Sequence, residues 1–194
     1  MFKFFFSRAN TIPTLRLSGV IGQTGILRSG LTLQGIYKLI DKLFSDKKSP
    51  AVALIINSPG GSPTQSSLIA DSIILKAKKK KKRVIAFVED VAASGGYWLA
   101  CAADEIYIDQ NSIVGSIGVI SPGFGFVNLL KKVGIERRVY TSGKSKGFLD
   151  PFKVEKPEDI KRLKDIQEQI HENFINYVKA RRGMRLKKNR DNEY

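Results

Sequence analysis

The chain has 194 residues, with 33 Lys and Arg against 18 Asp and Glu and a formal net charge of +15. That excess excludes the profile of an ordinary acidic cytosolic enzyme and admits nucleic acid, an anionic membrane surface or an acidic partner. A single cysteine, Cys101, excludes an internal disulfide and a Cys-based zinc cluster, and a single histidine, His171, leaves a Ser-His-Asp triad only one imidazole.

An apolar fraction of 42% is enough to bury a core in one domain. No run reaches the ~18 apolar residues of a spanning helix. Met1-Phe2-Lys3-Phe4-Phe5-Phe6 is too short for a signal-peptide core, and no small-residue cleavage site follows it. It reads either as a frayed end or strand packed on a neighbour, or as a shallow membrane-surface anchor.

In chain order, Thr14 to Ile21 predicts a strand that turns at Gly22. Leu33, Ile36, Ile40 and Leu43 recur at helical spacing, so Leu31 to Phe44 is an amphipathic helix. Ala51 to Ile56 is wholly apolar, as in a strand buried on both faces, and Val84 to Val88 reads the same way. Between them Thr64 to about Lys82 is a helix, with Leu68, Ser72, Ile73 and Ala77 as inward candidates. Ala93 to Ala103 is a small-residue helix and Glu105 to Ile108 a strand. Ser116 to Ser121 is extended, Phe126 to Val133 a short helix, and Glu136 to Thr141 a strand. Pro157 to Arg182 is the longest helix, with Ile160, Leu163, Gln167, Ile170, Phe174 and Tyr177 along one stripe. Pro157 suits its first turn and Gly183 its end. Alternating strands and helices predict an α/β fold with a largely parallel sheet. Lys179 to Tyr194 carries seven Lys and Arg against two acids, a net of +5, and reads as a solvated basic tail.

Three loops concentrate residues suited to chemistry. Asn57-Ser58-Pro59-Gly60-Gly61-Ser62 follows a buried strand and opens a helix. It is either a tight turn or a place where backbone N–H groups meet an anion. Ala92-Ala93-Ser94-Gly95-Gly96-Tyr97 repeats the strand-to-helix junction. Ser94 is there either a helix N-cap or an exposed nucleophile on a sharp elbow, with the Gly95 N–H aimed where an oxyanion forms. Thr141 to Gly147 holds Lys144 and Lys146 among Gly and Ser, without phosphate-loop spacing. It is either a solvated loop or the source of a lysine base, which desolvation must bring down from ~10.4 toward neutrality.

Together these loops resemble the signal peptide peptidase A-like serine peptidases, which include the SohB-type proteins. The resemblance rests on I-N-S-P-G-G at 56–61, D-x-A-A-S-G-G-Y at 90–97, C-A-A-D-E-I-Y at 101–107, G-S-I-G-V-I at 115–120 and S-G-K-S-K-G-F-x-D-P-F at 142–152. It covers roughly residues 14 to 185. It implies a βαβ spiral like that of the Clp protease proteolytic subunit and the crotonases, and a Ser-Lys dyad. Carried over by motif, Ser94 is the nucleophile and Lys146 the general base, with Lys144 its rival. Ser116 orients the lysine, and the N–H groups of Gly61 and Gly95, together with Gly60, form the oxyanion hole. No metal or cofactor is implied. His171 reads as a partly exposed helical residue, and Trp98 and Cys101 as packing residues.

The family usually continues past the long helix and often carries an N-terminal anchor. The expected organisation is therefore an apolar and basic extension at 1–13, a C-terminally truncated peptidase-like domain at 14–182 and a basic tail at 183–194. The expected function is a serine endopeptidase acting on signal-peptide remnants or membrane-derived peptides. The alternative is an inactive truncated relative that binds peptides or membranes or serves assembly. Expected partners are a peptide substrate and further copies of the chain in a homo-oligomer. Lys78 to Arg83 reads either as a solvated helix end, which favours cations, or, with the tail, as a contact with an anionic membrane surface. Nucleic acid is not expected, because no stacking motif or recognition helix accompanies the charge. The expected location is cytoplasmic or peripheral on an inner membrane face.

Overall fold

The apolar run after Pro50 becomes the second strand of a wholly parallel sheet. The computed structural model describes residues 11–23, 30–143 and 145–186. The N-terminal Phe-rich segment, Lys144 and most of the basic tail lie outside these residues. The strands are β1 (Thr14–Ser18), β2 (Ala51–Ser58), β3 (Arg83–Ala93), β4 (Glu105–Ile108) and β5 (Ile113–Gly115). Their order is β1-β2-β3-β4, with β5 also paired to β3, and every pairing is parallel. β3 serves two partners in turn: Ile85 to Val88 face β4, and Val91 to Ala93 face β5. The change of partner coincides with a register shift against β2, where Ile56 meets Val88 but Ser58 meets Ala92. Such a bulge bends its strand and raises its twist.

The helices are α1 (Leu33–Leu43), α2 (Pro63–Lys80), α3 (Gly95–Ala100), α4 (Val127–Val133) and α5 (Pro157–Arg182). The expected periodicity of α1 holds: Ile36, Ile40 and Leu43 are buried, and Thr32 Oγ1 accepts the Gly35 N–H at 3.1 Å as an N-cap. In α2 the buried face is Ser66, Ile69, Ala70 and Ile73; of the expected inward residues Ile73 is buried, Ser72 and Ala77 are half-buried and Leu68 is exposed. Apolar residues surround most of α2, so its pattern did not single out one face. β3 also differs from the expected doubly buried strand. Val84, Ala86 and Val88 are buried, but Phe87 is exposed and stacks on Tyr107 at 5.5 Å. The expected strand at 136–141 has no regular structure and its residues are exposed. A strand needs a paired neighbour, and none of the five described strands pairs with this segment.

The chain divides into two compact units, residues 1–117 with 174–194, and residues 118–173. The first holds the sheet, α1 to α3 and the last turns of α5. Those turns grip α3. The Trp98 ring lies 4.7 Å from Phe174 and 4.9 Å from Tyr177. Arg181 donates to the Cys101 carbonyl at 2.8 Å and the Ala102 carbonyl at 2.9 Å. Carbonyls at the end of a helix lack intrahelical partners, and a cation there also suits the negative end of the helix dipole. The second unit holds α4 and the start of α5. Phe126 and Phe152 stack at 5.4 Å, and the Arg137 guanidinium lies over Phe152.

Two predictions follow from this core. Phe174→Ala removes one wall of the Trp98 site and should cost about 3–5 kcal/mol in urea unfolding, with a red shift in the emission of the only tryptophan. Burial pushes the Cys101 thiol up to about 11 and the Tyr97 hydroxyl up to about 12. A free thiol titrates near ~8.5, so the unfolded chain releases its protons first as pH rises. The stability these groups carry is whole below about pH 8.5 and is lost between there and about pH 12, the Cys101 share by about pH 11. The urea midpoint should hold steady from pH 7 to 8.5 and then fall, and the fall should be smaller in Cys101→Ala.

Candidate active site

β3 ends at Ala93 and α3 starts at Gly95, so Ser94 alone makes the turn between them. Its backbone has φ 50° and ψ −120°, a region that costs a non-glycine residue on the order of 1–3 kcal/mol. The Ser94 N–H donates to the Gly115 carbonyl at 2.7 Å, and its own carbonyl accepts the Trp98 N–H at 3.0 Å. The side chain stands at the N-cap position but makes no capping bond. Of the two sequence readings of Ser94, the capping one is therefore absent. The residue is half-buried, and its hydroxyl has no hydrogen-bond partner among the described residues. An Oγ held on a strained elbow and not spent on the fold is available for attack on a carbonyl carbon.

The loop after β2 lies against this elbow. A Cβ on Gly60 would stand 2.8 Å from each of Ala93 O, Gly95 N and Ser94 Cβ. A Cβ on Gly96 would stand 2.4 Å from the Ser58 carbonyl oxygen, and one on Gly95 2.4 Å from Ser66 Oγ and 3.4 Å from Gly61 N. The backbones of 60–61 and 94–96 are thus in direct contact. The Gly61 and Gly95 N–H groups have no acceptor among the described residues. The Gly60 N–H, by contrast, donates to Ser58 Oγ at 3.2 Å. Ile21 closes the far side, donating to the Gly60 carbonyl at 2.8 Å and accepting from Ser62 N at 2.8 Å.

Ser116 follows Gly115, whose carbonyl holds the Ser94 N–H, so the fold brings it beside the elbow. It is exposed, with φ 54°. Lys146 belongs to the second unit, in a series of turns after Gly143, and its side chain is exposed. Cys101 and Trp98 are core residues, as expected. His171 is half-buried on α5. Among the described residues no cluster of His, Cys, Asp and Glu is placed to hold a metal ion.

Two supporting residues had no role in the sequence reading. Buried Ser58 donates its hydroxyl to the Gly19 carbonyl at 2.7 Å while accepting the Gly60 N–H, which ties β1, β2 and the glycine loop together. The Asn57 side-chain amide donates to Asp90 Oδ2 at 2.7 Å, joining the two loop-bearing strands just before they diverge. Both lie inside the quoted motifs I-N-S-P-G-G and D-x-A-A-S-G-G-Y. A polar residue ending an apolar strand was the available signal.

Comparison with known proteins adds a family. The model of peptidase family S49 matches residues 76–192, which include Ser94, Ser116 and Lys146. The chain is 55% identical over 181 residues to a protein of Brucella melitensis named Na(+)/H(+) antiporter NhaA, covering 93% of this chain and 25% of that protein. It is 32% identical over 177 residues to an Enterococcus faecium protein named as a signal peptide peptidase SppA, covering 89% of this chain and 51% of the other. It is 34% identical over 165 residues to the chloroplastic serine protease SPPA of Arabidopsis thaliana, covering 75% and 24%. The chain thus spans from about a quarter to about half of the length of these relatives. The parallel sheet with packed helices agrees with the fold that the resemblance implied.

The glycine contacts give a direct test. Gly96→Ala forces a methyl group against the Ser58 backbone and should cost about 1–3 kcal/mol in urea unfolding. Gly125→Ala, where an added Cβ meets nothing within 4 Å, should change stability by less than about 1 kcal/mol.

Proposed function

Given that the chain belongs to peptidase family S49, we propose that it is a serine endopeptidase in which Ser94 is the nucleophile and Lys146 the general base. The observation that carries this reading is the strained elbow of Ser94, with a hydroxyl that neither caps its helix nor bonds elsewhere among the described residues. Strain of this kind persists where the surrounding structure holds it and where the geometry is used. In the proposed reaction Lys146 Nζ takes the Ser94 proton as Oγ attacks the peptide carbonyl. The Gly61 and Gly95 N–H groups receive the developing oxyanion. Gly60 contributes by its missing side chain, since its N–H is held by Ser58. The lysinium then protonates the leaving amine. Water hydrolyses the acyl-enzyme, with Lys146 again as base and Ser116 orienting it.

A lysine acts as base near neutrality only when burial favours its neutral form. Lys146 is exposed in the single chain, so we assign its covering to assembly of several copies, the homo-oligomer that the family resemblance implies. For substrate we propose short peptides, signal-peptide remnants or membrane-derived segments among them. The relative named as a signal peptide peptidase supports that class.

A second reading is a non-catalytic module that binds peptides or membranes. The exposure of Lys146 favours it, as does the Brucella relative, in which the matching region is a quarter of a protein named as an antiporter.

Intact mass after treatment with a serine-directed phosphonylating probe separates the two. The peptidase reading expects one adduct on the wild-type chain and none on Ser94→Ala. It also expects peptide hydrolysis to fall at least about 10³-fold in Ser94→Ala and in Lys146→Ala. Hydrolysis retained in either variant overturns the assignment of that residue. No adduct on a chain shown by circular dichroism to be folded favours the second reading.

A further inference from the structure

Six consecutive cations, Lys78 to Arg83, close α2 and open β3, and the proposed chemistry uses none of them. Lys78, Lys79 and Lys80 form the last turn of α2, and Lys81 caps it with φ 53°. A helix C-terminus favours cations, but the effect fades beyond its last turn. Two of the six are occupied: Lys82 Nζ donates to the Asp46 carbonyl, and Arg83 pairs with Glu105. Lys78 to Lys81 have no carboxylate partner among the described residues, and Lys78 to Lys81 are all exposed. Their mutual repulsion is not relieved within the described fold. A cleft of about 380 Å³ opens among Lys78, Lys81, Lys82, Arg83, Asp104 and Arg181, where five cations meet one carboxylate.

Leu75 lies three and four positions before Lys78 and Lys79, hence on the same side of α2, and is 66% exposed. Unpaired lysines around an exposed leucine suit one kind of partner, an anionic bilayer. Its headgroups neutralise the lysines, and its headgroup–acyl boundary takes up the leucine. A nucleic acid offers the charge but nothing for the leucine, and the lysines gather at a helix end instead of along a face that could follow a groove.

We infer that the Lys78–Arg83 end of the first unit docks on an anionic phospholipid surface. The docking is independent of the peptidase reading, so Ser94→Ala should bind as the wild type does. The test is co-sedimentation of the whole chain with vesicles of phosphatidylcholine containing 30% phosphatidylserine, beside vesicles of phosphatidylcholine alone. The expected result is pelleting with the first and not the second, lost when NaCl is raised to 0.5 M. At about 1 kcal/mol for each basic residue near such a surface, changing Lys78, Lys79, Lys80 and Lys81 together to Gln should weaken binding at least a hundredfold while the circular dichroism stays unchanged. Leu75→Ser should weaken it less. A chain lacking 187–194 should retain most of the binding.

Any of four results overturns the inference: no pelleting with the anionic vesicles, equal pelleting with both kinds, full binding by the four-Gln variant, or binding to a DNA duplex as tight as to the anionic vesicles. If the four-Gln variant loses its fold, changing Lys79 and Lys80 alone decides the matter. A loss of less than about threefold in that folded variant also overturns it.

Discussion

The close approach of two backbone segments governs the region around Ser94. The loop that leaves β2 and the turn that leaves β3 touch where Gly60 meets Ser94 and where Gly96 meets the Ser58 carbonyl, at separations that admit no Cβ. Packed interiors tolerate little added volume, so this contact specifies glycine at several positions at once. It also explains why the strained Ser94 conformation lasts. The Gly115 carbonyl holds the Ser94 N–H, the Gly60 segment blocks one side of the turn, and α3 begins directly after it. A relaxed backbone at Ser94 would have to displace one of these neighbours.

The same turn depends on a distant part of the chain. α3 is only six residues long, too short to be stable by its own hydrogen bonds. Its persistence comes from Trp98, packed against Phe174 and Tyr177, and from Arg181 on its terminal carbonyls. These α5 residues lie some eighty positions later in the chain, and the geometry of Ser94 rests on them without their touching it.

Much of this was legible in the sequence. Small residues on both sides of Ser94 point to a tight turn because larger ones would clash, and the structure has such a turn. Pro157 and Gly183 bracket α5 as helix-start and helix-stop chemistry dictates. Other features were not legible. The inward face of α2 was legible only at Ile73, and not at Ser66 or Ala70, because Leu68, Ile69, Ile73, Ile74 and Leu75 leave no single apolar stripe. The loss of a strand at 136–141 depends on pairing partners, which no local pattern reports. Ser58 looked like a turn residue, yet its hydroxyl joins two strands and the glycine loop at once, a role set by register. The role proposed for Lys146 rests on resemblance to a family and not on any local spacing.

β3 is longer than its neighbours because it pairs first with β4 and then with β5. That length separates Arg83, at one end, from Ala93 and the elbow at the other by ten residue steps, or roughly 30 Å at the rise of a strand. All five described strands run the same way, so the cationic turn and the Ser94 elbow lie at opposite poles of the sheet. The run of β3 thus keeps whatever the cationic turn touches about one bilayer-core thickness away from whatever reaches the Ser94 hydroxyl.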